Sequence, residues 1–147
     1  MSKIYTIGFT KKTAEDFFTL LINNHVRKLI DVRLNNTSQL AAFSKFPDIE
    51  FFLKRICNIE YKHDTTFAPT EDILSNYKKK LIDWNDYEIN FEELMNKRHI
   101  DRYIVENYYN CDDYCLLCSE PTPEHCHRRL IADKFSSILK DIRIVHL

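Results

Sequence analysis

The sequence holds a single glycine, Gly8, where a chain of 147 residues at average usage would carry roughly ten. That scarcity excludes a Gly-rich phosphate loop of the Walker or Rossmann type, each of which needs two or more glycines at fixed spacing. No apolar run approaches the about 18 residues of a membrane span, and the opening MSKIYTIGF lacks a charged leader, apolar stretch and small-residue cleavage site. Neither sign of charge dominates: 21 Lys and Arg stand against 22 Asp and Glu, for a net charge of −1. No global field draws the chain to nucleic acid or membrane, so any polyanion must be held by a local patch. Five cysteines, an odd number without an export signal, point to cytoplasmic thiols or metal ligands rather than a disulfide framework.

What is present reads as one domain over residues 1–147, with 44% hydrophobic residues to build its core. Residues 3–9, KIYTIGF, form an apolar strand closing at Gly8, where the backbone is expected to turn. Thr13 is the expected cap of a helix carrying Ala14, Phe17, Phe18, Leu21 and Ile22 at helical spacing. KLIDVR (28–33) and IEYKH (59–63) are two more strands. Between them Pro47 and Asp48 open a helix with the face Ile49, Phe52, Leu53 and Ile56. Residues 70–108 are helical in pattern, capped at Thr70 and with Leu81 on an apolar face. Residues 114–119 form a strand, 126–139 a helix and 143–147 a last strand. This alternation predicts an α/β fold, a single domain with a mostly parallel central sheet of about five strands flanked by helices.

Parallel sheets bind ligands outside the carboxyl ends of their strands. The chemically capable residues fall at those ends: Gly8 and Thr10 after the first strand, Asp31 and Arg33 at the second. His63 ends the third, Cys118 and Glu120 the fourth, and His146 the fifth. One site is the expectation.

The densest chemistry lies in CSEPTPEHCHRR, residues 118–129. Helical spacing brings Arg128 close to the core face of the final helix, puts His127 on its shoulder and turns Arg129 away. A guanidinium beside free N–H groups at a helix start is an anion-binding arrangement; the competing reading is an ion pair of Arg128 with Glu120 or Asp31. Cys126, at the same terminus, is expected to have the activated thiol, with Cys118 as an apolar filler. Cys115 and Cys118 would face opposite sides of a strand, so a metal site using all of Cys111, Cys115, Cys118 and Cys126 is awkward. A zinc site from Cys118, Cys126 and His127 stays open. Glu120, just before Pro121, is a candidate general acid or base partnered by His63 or His146, or else caps the next helix or orients Arg33. His25, His99 and His125 read as ordinary surface or core histidines.

Thr6-Ile7-Gly8, Asp31-Val32-Arg33, Tyr61 and His63, Cys118-x-Glu120, Cys126-His127-Arg128 and Val145-His146 occur in that order. Together they resemble the domain-of-unknown-function family 488, over nearly the whole chain. The resemblance implies an α/β fold and an enzyme of no settled reaction. Thr10 stands where that family usually has serine, Asn35 and Asn36 stand where a proline is usual, and Phe67-Ala68-Pro69 replaces a glycine-rich turn. A fainter likeness, in the Leu-Ile-Asp-Val-Arg strand and a later cysteine, is to rhodanese-type sulfurtransferases.

These readings combine into an expected enzyme, a hydrolase or transferase. Glu120, Cys126, His127, His146 and His63 would be catalytic; Gly8, Thr10, Asp31, Arg33, Cys118 and Arg128 would bind a small anionic, nucleotide or nucleic-acid substrate. The rival expectation is a metal-binding or thiol-redox module without turnover, with zinc as the one cofactor in view.

Overall fold

A computed structural model describes residues 2–37 and 41–147. Five strands, β1 (Ser2–Gly8), β2 (Lys28–Asp31), β3 (Glu60–His63), β4 (Tyr114–Cys118) and β5 (Ile142–His146), form one all-parallel sheet in the order β3-β2-β4-β1-β5. The helices are α1 (Ala14–Asn23), α2 (Asp48–Phe52), α3 (Glu71–Lys78), α4 (Trp84–Lys97), α5 (Ile100–Tyr108) and α6 (His127–Ile138). The α/β reading therefore holds. α2 runs into a π-helical turn at Leu53–Cys57, and on the expected face only Ile49 and Leu53 are fully buried, while Ile56 is exposed. Leu81 is likewise exposed, because α3 has already ended.

The central strands are apolar because both faces are covered. Ile4, Ile30 and Leu116 face a core with Phe91, Ile104, Ile131 and Phe135, whereas Ile7, Leu29, Cys115 and Leu117 face Phe17, Leu21 and Leu53. Cys115 and Cys118 lie in opposite cores, as strand alternation requires, so the four-cysteine site does not form. α1 and α6 follow the adjacent strands β1 and β4 but lie on opposite faces of the sheet. Their two loops part at the carboxyl edge and leave a crevice there.

Helix ends also show the cost of having one glycine. Among the described residues, seven that are not glycine, Lys11, His25, Asn58, Lys80, His99, Asp113 and Asp141, take positive φ. His25 closes α1 in a Schellman arrangement: its N–H donates to Ile22 O at 3.0 Å and that of Val26 to Leu21 O at 3.1 Å. A side chain in the left-handed region costs about 1–2 kcal/mol. Since His25 is exposed, His25→Gly is expected to stabilise the protein by about 0.5–1 kcal/mol, after the added chain entropy of glycine. Urea unfolding checks this; an unchanged or lowered midpoint contradicts it.

Beyond β3, Asp64 accepts hydrogen bonds from the hydroxyls of Tyr103 (2.7 Å) and Tyr108 (2.5 Å) and from Thr66 N–H (3.1 Å). Burial alone would raise this carboxyl's pKa, but those bonds and Lys62 bring it below the usual value. A depressed pKa stabilises the fold above the unfolded carboxyl value of about 3.9, and that stability is lost as pH falls through the folded value. Asp64→Asn should therefore cost about 2 kcal/mol at neutral pH. It should also flatten the acid limb of stability below about pH 4, read by urea melts at several pH values.

Candidate functional site

Strand register gathers the capable residues at one edge. Gly8 pairs with Cys118, Thr6 with His146, and Asp31 with His63. The final helix begins at His127, with Cys126 as its extended cap residue and no side chain capping it. Glu120 therefore does not cap that helix.

At the centre stand Cys118, Cys126 and His127, whose ligand atoms all lie within 4.8 Å of one another. They are only 7%, 3% and 5% exposed, yet all three line a cleft of about 1350 Å³ at the strand edge. His127, expected on the helix shoulder, is folded inward. Its Nε2 lies 2.7 Å from Val32 O. A carbonyl only accepts, so Nε2 carries the hydrogen and Nδ1 presents its lone pair to Cys118 Sγ, 3.5 Å away. Zn–S and Zn–N bonds of about 2.3 and 2.0–2.1 Å at a tetrahedral angle separate sulfur from nitrogen by about 3.6 Å. The pair is already spaced for a shared ion, and the Val32 carbonyl supplies the outer contact that orients such a ligand.

The two thiols differ in their surroundings. A hydrogen bond from Cys126 lowers the pKa of Cys118, and the Ser119 N–H and the charge of Arg128 add to this against burial. Donating that bond, together with burial, holds Cys126 well above the ordinary thiol value. These surroundings favour the charged form more at Cys118 than at Cys126. The other three cysteines are packing residues with raised thiol pKa values, Cys57 and Cys111 pushed by burial to about 11.

Arg128 is 0% exposed. It has no carboxylate partner among the described residues, so the expected ion pair with Glu120 or Asp31 is absent. Instead Nη1 donates to the Glu120 carbonyl at 2.6 Å and Nε to Thr6 Oγ1 at 3.3 Å, while Nη2 is buried without a hydrogen-bond partner. Thr6, accepting from Arg128, passes its own hydrogen to His146 Nδ1 at 2.6 Å. Loss of water and the charge of Arg128 both lower the His146 pKa, so its ring is neutral at pH 7.

Gly8 also acts differently from expectation. The chain has no glycine at positive φ, so no turn demands it. A Cβ at Gly8 would lie 1.7 Å from Glu120 O and 3.0 Å from Arg128 Nη1. Glycine is there so that the Glu120 carbonyl can cross β1 to meet the guanidinium.

Arg33 is engaged by a partner two residues away. Its fork holds Asp31 through two bonds of 2.8 Å, and Nη2 also donates to Ser44 O at 2.6 Å. Asp31 accepts from Tyr61 as well, at 2.6 Å. Asp31, and not Glu120, orients Arg33, and little of its donor set is left for a substrate anion. His63 Nε2 donates to Arg33 O at 2.7 Å.

Thr10, Arg33, Cys118, Glu120, Cys126 and His127 line the cleft. Gly8, Asp31, His63, Arg128 and His146 sit behind or beside it as supports. The sequence reading passed over Lys11, Lys12, Lys78 and Lys80 on the cleft wall, whose clustering an even global charge concealed. It also passed over Trp84 and read His125 as an ordinary histidine, although Trp84, Tyr87 and Phe91 at helical spacing were a visible signal. A separate apolar groove of about 640 Å³ between Phe18, Ile22, Phe52 and Ile56 holds none of the expected site residues.

No helix is long and apolar enough to cross a membrane among the described residues. Comparison with curated proteins and with solved structures gave no match. The profile of the family described as "Domain of unknown function DUF488" matches residues 13–135, a span that carries Asp31 through Arg128 and leaves Gly8, Thr10 and His146 to its flanks. With most of its length matched, the chain belongs to the domain of unknown function family DUF488.

Proposed function

We propose that the protein is a metal-dependent hydrolase or transferase of a phosphate-bearing substrate, working in a reducing, cytoplasmic setting. The observation that carries this is the convergence of Cys118, Cys126 and the lone pair of His127 Nδ1 on one point at the wall of the cleft. Structural zinc sites close with four protein ligands, whereas catalytic ones keep a position open. Three ligands facing a cleft fit the second kind.

A zinc-type ion held there would supply a Lewis acid and a water of lowered pKa. Cys118 and Cys126 would bind it as thiolates, and Cys126 is then a ligand and not a nucleophile. His127 is kept in the correct tautomer by Val32. Lys11, Lys12 and Lys80 draw the phosphate in, opposed along the cleft by Asp83, whose carboxylate caps α4, and by Glu120. The Glu120 carboxylate has no hydrogen-bond partner among the described residues and is exposed at the cleft, so it is the available general acid or base. Arg128, a buried cation with no carboxylate partner among the described residues, favours the thiolate form of Cys118.

The closeness of the Cys118 and Cys126 sulfurs, within 4.8 Å of each other at the cleft wall, supports a second reading, a metal-free dithiol centre. Assay of the zinc-loaded chain against phosphomonoesters, phosphodiesters and nucleotides separates the two. The proposal expects turnover that a chelator removes and that Cys118→Ser and Cys126→Ser abolish while circular dichroism is unchanged. Turnover indifferent to chelation, or thiol–disulfide exchange alone, would favour the dithiol centre.

A further inference from the structure

Four rings form a ladder from the core to the cleft. Phe91 and Tyr87 have centroids 6.0 Å apart at 6°, Tyr87 and Trp84 4.9 Å at 15°, and Trp84 and His125 5.2 Å at 22°. Phe91 and Tyr87 are buried, Trp84 is half-buried and His125 is exposed. Tyr87 and His125 both stack on Trp84, and His125, which lines the cleft, has no other aromatic neighbour among the described residues. His125 makes no hydrogen bond among the described residues; stacking is what holds it. It also directly precedes Cys126, one of the three convergent ligands.

We infer that His125 is a specificity residue that stacks a nucleobase, making the substrate a nucleoside phosphate rather than a sugar phosphate. Every nucleobase has a π-face to continue such a ladder, and base–ring stacking is worth enough to dominate selection between otherwise equal phosphates. The lysines of the same cleft then meet the phosphate, which places its ester beside Cys118, Cys126 and His127. This inference rests on the phosphate-bearing substrate proposed above and adds the base.

Trp84 is the sole tryptophan, so its fluorescence reports stacking on the adjacent ring without interference. The full chain is titrated with adenosine 5′-monophosphate, uridine 5′-monophosphate, ribose 5-phosphate and inorganic phosphate, for wild type, His125→Ala and His125→Tyr. The expected result is that both nucleotides quench Trp84 and bind at least about tenfold tighter than ribose 5-phosphate. His125→Ala should erase that margin while leaving ribose 5-phosphate binding unchanged, and His125→Tyr should restore it. Equal binding of nucleotides and ribose 5-phosphate, insensitive to His125, overturns the inference while the phosphate reading stands. If no phosphate compound binds, the phosphate reading fails and the inference with it.

Discussion

Gly8→Ala is expected to lower stability by about 3–5 kcal/mol, from overpacking of about 1–3 kcal/mol and loss of a charge-assisted hydrogen bond of about 1.5–3 kcal/mol. The new Cβ would meet Glu120 O at 1.7 Å and Glu120 C at 2.7 Å, both backbone atoms that cannot swing aside. Either β1 or the 119–120 segment must move. Moving the segment breaks the Arg128 Nη1–Glu120 O bond of 2.6 Å and the Thr10 N–Ser119 O bond of 3.1 Å, and drags Cys118, which pairs with Gly8. Because a domain of this size is stable by only about 5–15 kcal/mol, this one methyl group should bring the protein close to unfolding. Urea unfolding measures it, and a loss under about 1 kcal/mol would mean that the carbonyl does not cross β1 as described.

Arg128→Lys should cost about 2–4 kcal/mol, from one lost donor contact and a buried, less well matched ammonium in place of the guanidinium. The guanidinium spans Thr6 on β1 and the Glu120 carbonyl at once, and a lysine head is one point of donation where two separated ones are required. Glu120 O or Thr6 Oγ1 would be left unsatisfied beside a desolvated charge. The effect falls first on the fold and only through it on ligand binding, so the anion-binding reading of Arg128 taken alone would show as the opposite pattern: weakened phosphate binding with an unchanged urea midpoint. An Arg128→Lys variant as stable as wild type contradicts the strut described here.

Strands β1, β2 and β4 were legible because a parallel strand buried on both faces is an unbroken apolar run, and Thr13 and Thr70 were legible as caps because each accepts a bond from a backbone N–H three residues on. The edge at which the site forms followed from strand order alone. What was hidden depends on partners distant in sequence. Gly8 answers to the carbonyl of Glu120, and Cys118 meets Cys126 and His127 only once the loop between them has folded back. His125, in the loop before α6, matters through Trp84 on α4. The Asp31–Arg33 pair was local and still missed, since strand alternation gives facing but not which donor a guanidinium will choose.

In the proposed centre Cys118, Cys126 and His127 hold one metal ion and leave one position open. Zinc analysis with X-ray absorption of the zinc-loaded chain tests it most directly. The account predicts one zinc ion per chain, bound by two sulfurs at about 2.3 Å and by nitrogen or oxygen at about 2.0–2.1 Å, with one sulfur lost in Cys126→Ser. Zinc no higher than in a Cys118→Ser, Cys126→Ser double variant, or a coordination shell without sulfur, would contradict it.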